Sequence, residues 1–173
     1  MFDNYLKYAI LIISLWIIPF ETTQADSISL SPLGLTFHGK SQSELAPLAP
    51  RKLDKNADWT WHPEVNLTYK SKHMQYSVFF MKDTINDPSG GFFLGPKIDF
   101  LSVFSVGVVG GTLVRPERHF PLFSIKKAGI QVIPMGGATF SIKIPLDKRV
   151  FLENNYLLNG YVNHGTIGLG VNF

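Results

Sequence analysis

From Trp59 to Lys70 the chain alternates strictly. Trp59, Trp61, Val65, Leu67 and Tyr69 fall on one parity, and Thr60, His62, Glu64, Asn66, Thr68 and Lys70 on the other. The same period returns where Ala138, Phe140, Ile142 and Ile144 alternate with Thr139, Ser141 and Lys143. Successive side chains of a strand point to opposite faces, so each segment carries one apolar and one polar face, a pattern that no helix satisfies. An all-β fold follows, either a sandwich of two sheets or a closed barrel.

The end of the chain favours the barrel. Gly165, Ile167, Leu169, Val171 and Phe173 alternate with Thr166, Gly168, Gly170 and Asn172, so a strand ends on an aromatic residue. This resembles the terminal strand of bacterial outer-membrane proteins, and it disfavours a soluble periplasmic lipid-binding barrel. Trp59, Trp61, Tyr69, Tyr76 and Phe120 lie near expected strand ends, as interfacial girdles require. Unpaired strand edges cannot face lipid, so the sheet has to close on itself. Eight strands are expected: Ile28 to His38, Trp59 to Lys70, Met74 to Asp83, Phe92 to Phe100, Phe104 to Arg115, Phe123 to Ile133, Ala138 to Pro145 and Gly165 to Phe173. Short turns are expected at Lys70 to His73 and at Ile133 to Gly137, with a long polar external loop from Gly39 to Asp58. The segment from Asp147 to His164 is compatible with extended flanking strands or with a packed loop.

Lys7 precedes an apolar run from Ala9 to Phe20, and Thr23-Gln24-Ala25 offers a small residue for cleavage. That is the pattern of a secretory signal peptide over residues 1–25, too short to span a bilayer as a helix. Residues 26–173 then form one barrel domain. With no cysteine in the chain, packing and backbone pairing alone must hold the fold. The net charge of +3 comes without a basic stripe, so nucleic acid is not an expected partner. A monomer in the outer membrane is.

Chemistry-bearing residues gather where an apolar run breaks into a turn, in YSVFFMKDTINDP from Tyr76 to Pro88. Asp83 and Thr84 place a carboxylate beside a hydroxyl at a strand end, although such pairs ordinarily serve the turn itself. If both termini are periplasmic, His38, at the end of the first strand and on the parity of Thr36, lies at the same external rim. A base, a carboxylate and a hydroxyl suit acyl transfer, with His38 as the base, Asp83 orienting it or the acceptor, and Thr84 as a donor to the oxyanion or substrate. Arg115, Arg118, Lys126 and Lys127 are candidates for phosphate contacts or for ordinary solvated charge. His62 and Glu64 share a face, but two ligands make no metal site. No GxSxG elbow, HExxH pair or phosphate-binding loop is present, and no cofactor is expected.

GLTFHGK at Gly34 to Lys40, FFMKDT at Phe79 to Thr84, LVRPERHFPLF at Leu113 to Phe123 and FSIKIP at Phe140 to Pro145 resemble, in order and approximate spacing, the outer-membrane lipid A palmitoyltransferases. The resemblance implies an enzyme that moves an acyl chain from a phospholipid donor to a lipid A acceptor in the outer leaflet. It also implies that His38, Asp83 and Thr84 are its rim residues and that Arg115 has a substrate-binding counterpart. Two features depart from the family pattern: Thr84 stands where the family has serine, and the helix preceding the first strand has no room between Asp26 and Ile28. Aligned on Pro88, Phe93 occupies the position that sets the depth of the family's hydrocarbon pocket, which implies chains shorter than palmitate. The alternative is a small non-catalytic outer-membrane barrel with a structural or adhesive role.

Overall fold

In the computed structural model of the chain the described residues are 26–38, 59–83, 87–100, 102–117, 124–159 and 162–173, the side chains of 38, 59, 60 and 162 apart. The expected leader over 1–25 and the long loop over 39–58 lie outside them. Among the described residues there are nine strands: β1 (Ser27–His38), β2 (Trp59–Lys70), β3 (Met74–Lys82), β4 (Pro88–Phe100), β5 (Phe104–Pro116), β6 (Ile125–Lys127), β7 (Ile130–Pro145), β8 (Val150–Leu158) and β9 (Val162–Asn172). Every neighbouring pair is antiparallel. β1 pairs with both β2 and β9, and β5 pairs with both β4 and β7, so the eight long strands close into a barrel. Short β6 folds back on the top of β7 as a hairpin. Phe173 N donates to Asp26 O at 2.9 Å, which carries the β1–β9 closure to the last residue.

The burial pattern is inverted relative to a soluble protein. Buried side chains are mostly polar or charged, including Ser29, Thr36, Glu64, Lys70, Lys97, Gln131, Lys143 and Glu153. Phe80, Val108, Ile98, Leu169, Val65 and Leu30 are exposed. Apolar residues facing out around a closed sheet, with polar residues filling the inside, are what a lipid solvent demands. The protein is therefore a transmembrane β-barrel of the outer-membrane type. The start of β1, the end of β9 and the β2–β3, β4–β5 and β7–β8 connections share one end. The end of β1, the start of β2 and the β6–β7 hairpin share the other, where residues 39–58 of the sequence separate β1 from β2. Short turns mark the periplasmic end. There Tyr69 lies 5.9 Å from Tyr76 and 6.4 Å from Phe173, ring centre to ring centre, forming part of an interfacial girdle.

The expected count of eight barrel strands is correct, but two assignments are not. The turn expected at Ile133 to Gly137 lies inside β7, which runs unbroken through Pro134, Gly136 and Gly137. Of the strand expected from Phe123 to Ile133, the described residues form a hairpin instead, turning at Ala128 and Gly129, whose φ angles of 54° and 77° fit a two-residue loop with both central residues left-handed. Between Val132 and Ala138 no described strand pairs with β7 on the edge that β6 and β8 use, the kind of position where a strand tolerates a proline. The eighth strand is β8, from the segment left open. In β1, a register shift between Ser31 and Leu33 explains how Ile28 and Leu30 share the lipid face with Leu33, Leu35 and Phe37 despite opposite parity.

Candidate functional site

Because the barrel is closed, the inward parity of each strand can be stacked into levels. The lowest level is ionic. Lys70 Nζ donates to Glu153 Oε1 at 2.8 Å, Ser141 Oγ at 2.7 Å and Asn155 Oδ1 at 2.8 Å. Ser29 Oγ donates to the other Glu153 oxygen at 2.5 Å. Lys143 donates to Ser27 Oγ at 2.8 Å and sits 4.7 Å over the Phe151 ring. Lys97 pairs with Asp99, which also accepts from Ser105 Oγ at 2.5 Å. These bonds tie β1, β2, β7 and β8 across the lumen and close its periplasmic end.

The middle levels are apolar along one wall. Phe79 of β3, Gly91 of β4, Leu113 of β5 and Ile133 of β7 are successive register partners and form one inward row. Ser77, Phe93, Gly111 and Met135 form the row beneath. Phe79 and Phe93 stack with ring centres 5.3 Å apart and planes at 10°. Gly91 makes this possible, since a Cβ there would meet Phe79 Cζ at 2.9 Å as well as the Thr112 carbonyl.

Above the apolar wall, Asp83 faces the lumen. Its Oδ1 accepts the Asp87 N–H at 3.0 Å, and its Oδ2 accepts Ser89 Oγ at 3.0 Å and faces Arg115 Nη1 at 3.2 Å. Arg115 Nη2 also lies 3.6 Å from Asp87. The carboxylate thus closes the β3–β4 connection and clamps it to β5. Across the lumen, Thr36 Oγ1 lies 2.9 Å from His164 Nδ1, and His164 Nε2 lies 2.8 Å from Glu64 Oε2. Glu64 reaches His164 over Gly34, where a Cβ would collide with both. Hydroxyl, imidazole and carboxylate in series have the connectivity of a nucleophilic triad. Burial decides against that role. Thr36 is 3% exposed, so the hydroxyl presents almost no surface to a substrate, and the arrangement laces β1, β2 and β9 together instead.

Of the residues expected at the site, Asp83, Arg115 and Phe93 all face inward on the consecutive strand pairs β3–β4 and β4–β5, and Asp83 and Arg115 meet. Phe93 points into the lumen, with Phe92 and Leu94 exposed on the lipid side. The backbone of His38 continues β1 opposite Val162, but its side chain lies outside the described set, as does Thr84 altogether. His62 and Glu64 do share the inner face, with the His62 ring 6.3 Å from that of His164. Among the described residues no group of three or more His, Cys, Asp or Glu is placed to hold a metal. The network that the sequence did not disclose is Thr36–His164–Glu64. Its only sequence signal is the inward parity of Glu64 and of His164, two residues before Thr166.

No family model matches the chain, and no curated protein does. Among solved structures it is similar to a designed transmembrane β-barrel at 8% identity, covering 88% of this chain and 98% of that one, with a TM-score of 0.45. It is similar to Ail, the attachment invasion locus protein of Yersinia pestis, solved with the heparin analogue sucrose octasulfate, at 10% identity, 87% and 100% coverage and a TM-score of 0.42. Neisserial surface protein A is similar at 11% identity, 86% and 97% coverage and a TM-score of 0.42.

Proposed function

We propose that the protein is a non-catalytic outer-membrane barrel with a structural role, a closed and internally braced scaffold for the segments at its external end. The observation that carries this reading is that, among the described residues, lumen-facing side chains pair or stack with one another at each of three levels. The Lys70–Glu153 network fills the bottom, the stacked Phe79 and Phe93 the middle, and the Asp83–Arg115 clamp the top. Phe79 is 4% exposed and Ile133 7%, which leaves almost none of their surface for a hydrocarbon chain. Each hydrocarbon methylene would contribute about 0.8 kcal/mol on burial, so a bound tail requires open apolar wall that these side chains do not offer.

The second reading is acyl transfer from a phospholipid to lipid A, with His38, Asp83 and Thr84 at the rim and Arg115 and Phe93 on the substrate. What favours it is the placement of a carboxylate–guanidinium pair directly above an inward apolar row. One experiment separates the two. Mass spectrometry of lipid A from cells with and without the protein should give identical spectra for a scaffold, while loss of the protein should increase leakage of periplasmic enzymes. A mass increase equal to one acyl chain in the producing cells would overturn the scaffold reading and establish the transferase.

A further inference from the structure

The outer face of the β6–β7 hairpin continues the lipid-facing belt to its upper boundary and then presents one cation. From Phe104 to Val114 on β5 there are ten residue steps of about 3.3 Å, and at a tilt near 45° they rise roughly 23 Å, close to the ~25 Å belt of such barrels. Pro116 is the next outward position and pairs with Ile130. Ile125 pairs with Val132 and Lys127 with Ile130, and register partners share a face, so Ile125, Lys127, Ile130 and Val132 stand on the lipid side. Ile125 is 67% exposed and Ile130 49%. Lys126 pairs with Gln131, which is buried in the lumen wall, so Lys126 and Glu117 belong to the opposite face. Lys127 is therefore the one charged group on the outer face of this hairpin among the described residues, and none of the ion pairs there involves it.

We infer that this face is an interfacial anchor that seats Ile125 and Ile130 among the acyl chains of the outer leaflet and holds Lys127 against a phosphate of the phosphorylated glycolipid found there. A flexible stem ending in an ammonium suits this position, since it can lie along apolar surface while its head reaches the charged layer. The two-residue turn at Ala128 and Gly129 keeps the anchor stiff. The inference depends on the barrel's orientation and not on whether it catalyses a reaction.

The test uses the chain's lack of cysteine. Ala128→Cys, labelled with an environment-sensitive dye, is placed in phosphatidylcholine vesicles containing graded amounts of lipid A. Emission should shift to the blue as lipid A rises. Because one lysine near an anionic surface contributes enough for about a fivefold change in affinity, Lys127→Ser should raise the midpoint about fivefold. Lys126→Ser, the same charge change on the other face, should leave it in place. A gel shift between unheated and boiled samples verifies that each variant is folded. Equal effects of the two lysine variants would overturn the inference in favour of general charge attraction. An equal response to phosphatidylglycerol at matched charge, or to dephosphorylated lipid A, would overturn the glycolipid as partner, and absence of any shift would overturn the anchor.

Discussion

Replacing Glu153 by leucine isolates what the buried ion pair does for the barrel. Lys70 and Glu153 are 2% and 1% exposed at their side chains, so neither charge is relieved by solvent. The substitution removes two hydrogen bonds to the carboxylate, from Lys70 and from Ser29. Hydrogen bonds to a charged group contribute about 1.5–3 kcal/mol each, and stripping one partner from a buried pair costs about 3–5 kcal/mol in total. The neighbouring lysines make the upper part of that range the expectation: among the described residues, Lys70, Lys97 and Lys143 would be left with Asp99 as the one remaining carboxylate of the level. Lys70→Met combined with Glu153→Leu should recover most of the loss, because an apolar pair is often neutral or better than the ionic one. The recovery is incomplete because Ser29, Ser141 and Asn155 lose partners, at about 1 kcal/mol each. The assay is urea unfolding of the barrel in lipid vesicles, following the fraction that keeps the mobility of the unheated form, for both single variants and the double. A loss below about 1 kcal/mol in Glu153→Leu, or a double variant as unstable as the sum of the singles, would refute the claim that this pair is coupled and desolvated.

The mature chain should fractionate with outer membranes and migrate differently on gels before and after boiling, and recovery as a soluble periplasmic protein would contradict the inverted burial. Asp83→Ala should destabilise by about 2–4 kcal/mol in the same urea assay, by removing the nearer of the two carboxylates beside Arg115, while lipid A masses stay unchanged. Asp83→Asn, which keeps one acceptor oxygen for the Asp87 N–H and offers an amide N–H to Ser89 Oγ in place of the second oxygen, should lose less than the alanine variant. Gly34→Ala should cost more than 2 kcal/mol, since its methyl group would lie 2.7 Å from His164 Cε1 and inside contact with Glu64. His164→Ala should relieve part of that cost in the double variant, an outcome that measures the contact directly.

Period two made the barrel legible in the sequence because it is imposed by solvent on one side and lumen on the other at nearly every position. His62, Glu64, Asn66, Thr68 and Lys70 were assigned to one face by alternation alone, and all five face inward. The same rule fails where a residue breaks the period for local reasons. Pro134 and the Gly136–Gly137 pair carry the chemistry of a turn, yet β7 passes through them, because its partner β5 supplies thirteen register pairs along its length and the long-range pairing outweighs the local preference. Pro32 hides a bulge in the same manner: parity before it and after it both look regular, and only the shift between Ser31 and Leu33 reconciles them.

Side-chain pairing inside the lumen is a different kind of information. Asp83 and Ser89 were within reach of a local reading, since a carboxylate six residues before a serine across one turn commonly bonds it. His164 and Glu64 are 100 residues apart, and His164 and Thr36 are 128 apart. Nothing local specifies those contacts. They exist because β1 pairs with β9 on one side and β2 on the other, which places Glu64 and His164 on strands flanking Gly34, and because glycine leaves the gap between them open. Closure of the sheet thus creates the network, and the network in turn resists opening along the seam where the first and last strands meet. The sheet closes at the β1–β9 seam, where first and last strands meet, whereas β5–β7 joins strands that follow one another around the wall. In the latter the backbone ladder runs the whole length of β5, from Phe104↔Ile142 to Pro116↔Ile130, whereas β1–β9 carries a register shift between Leu30 and Leu33 that interrupts its ladder. The buried Thr36–His164–Glu64 chain sits just above that interruption. Removing His164 should therefore accelerate unfolding more than removing Gln75, whose bond to Thr139 links β3 to β7, strands held through the successive β3–β4, β4–β5 and β5–β7 ladders away from the seam. Comparing the unfolding rates of His164→Ala and Gln75→Ala in vesicles tests this, and equal rates would show that the seam is no weaker than the rest of the wall.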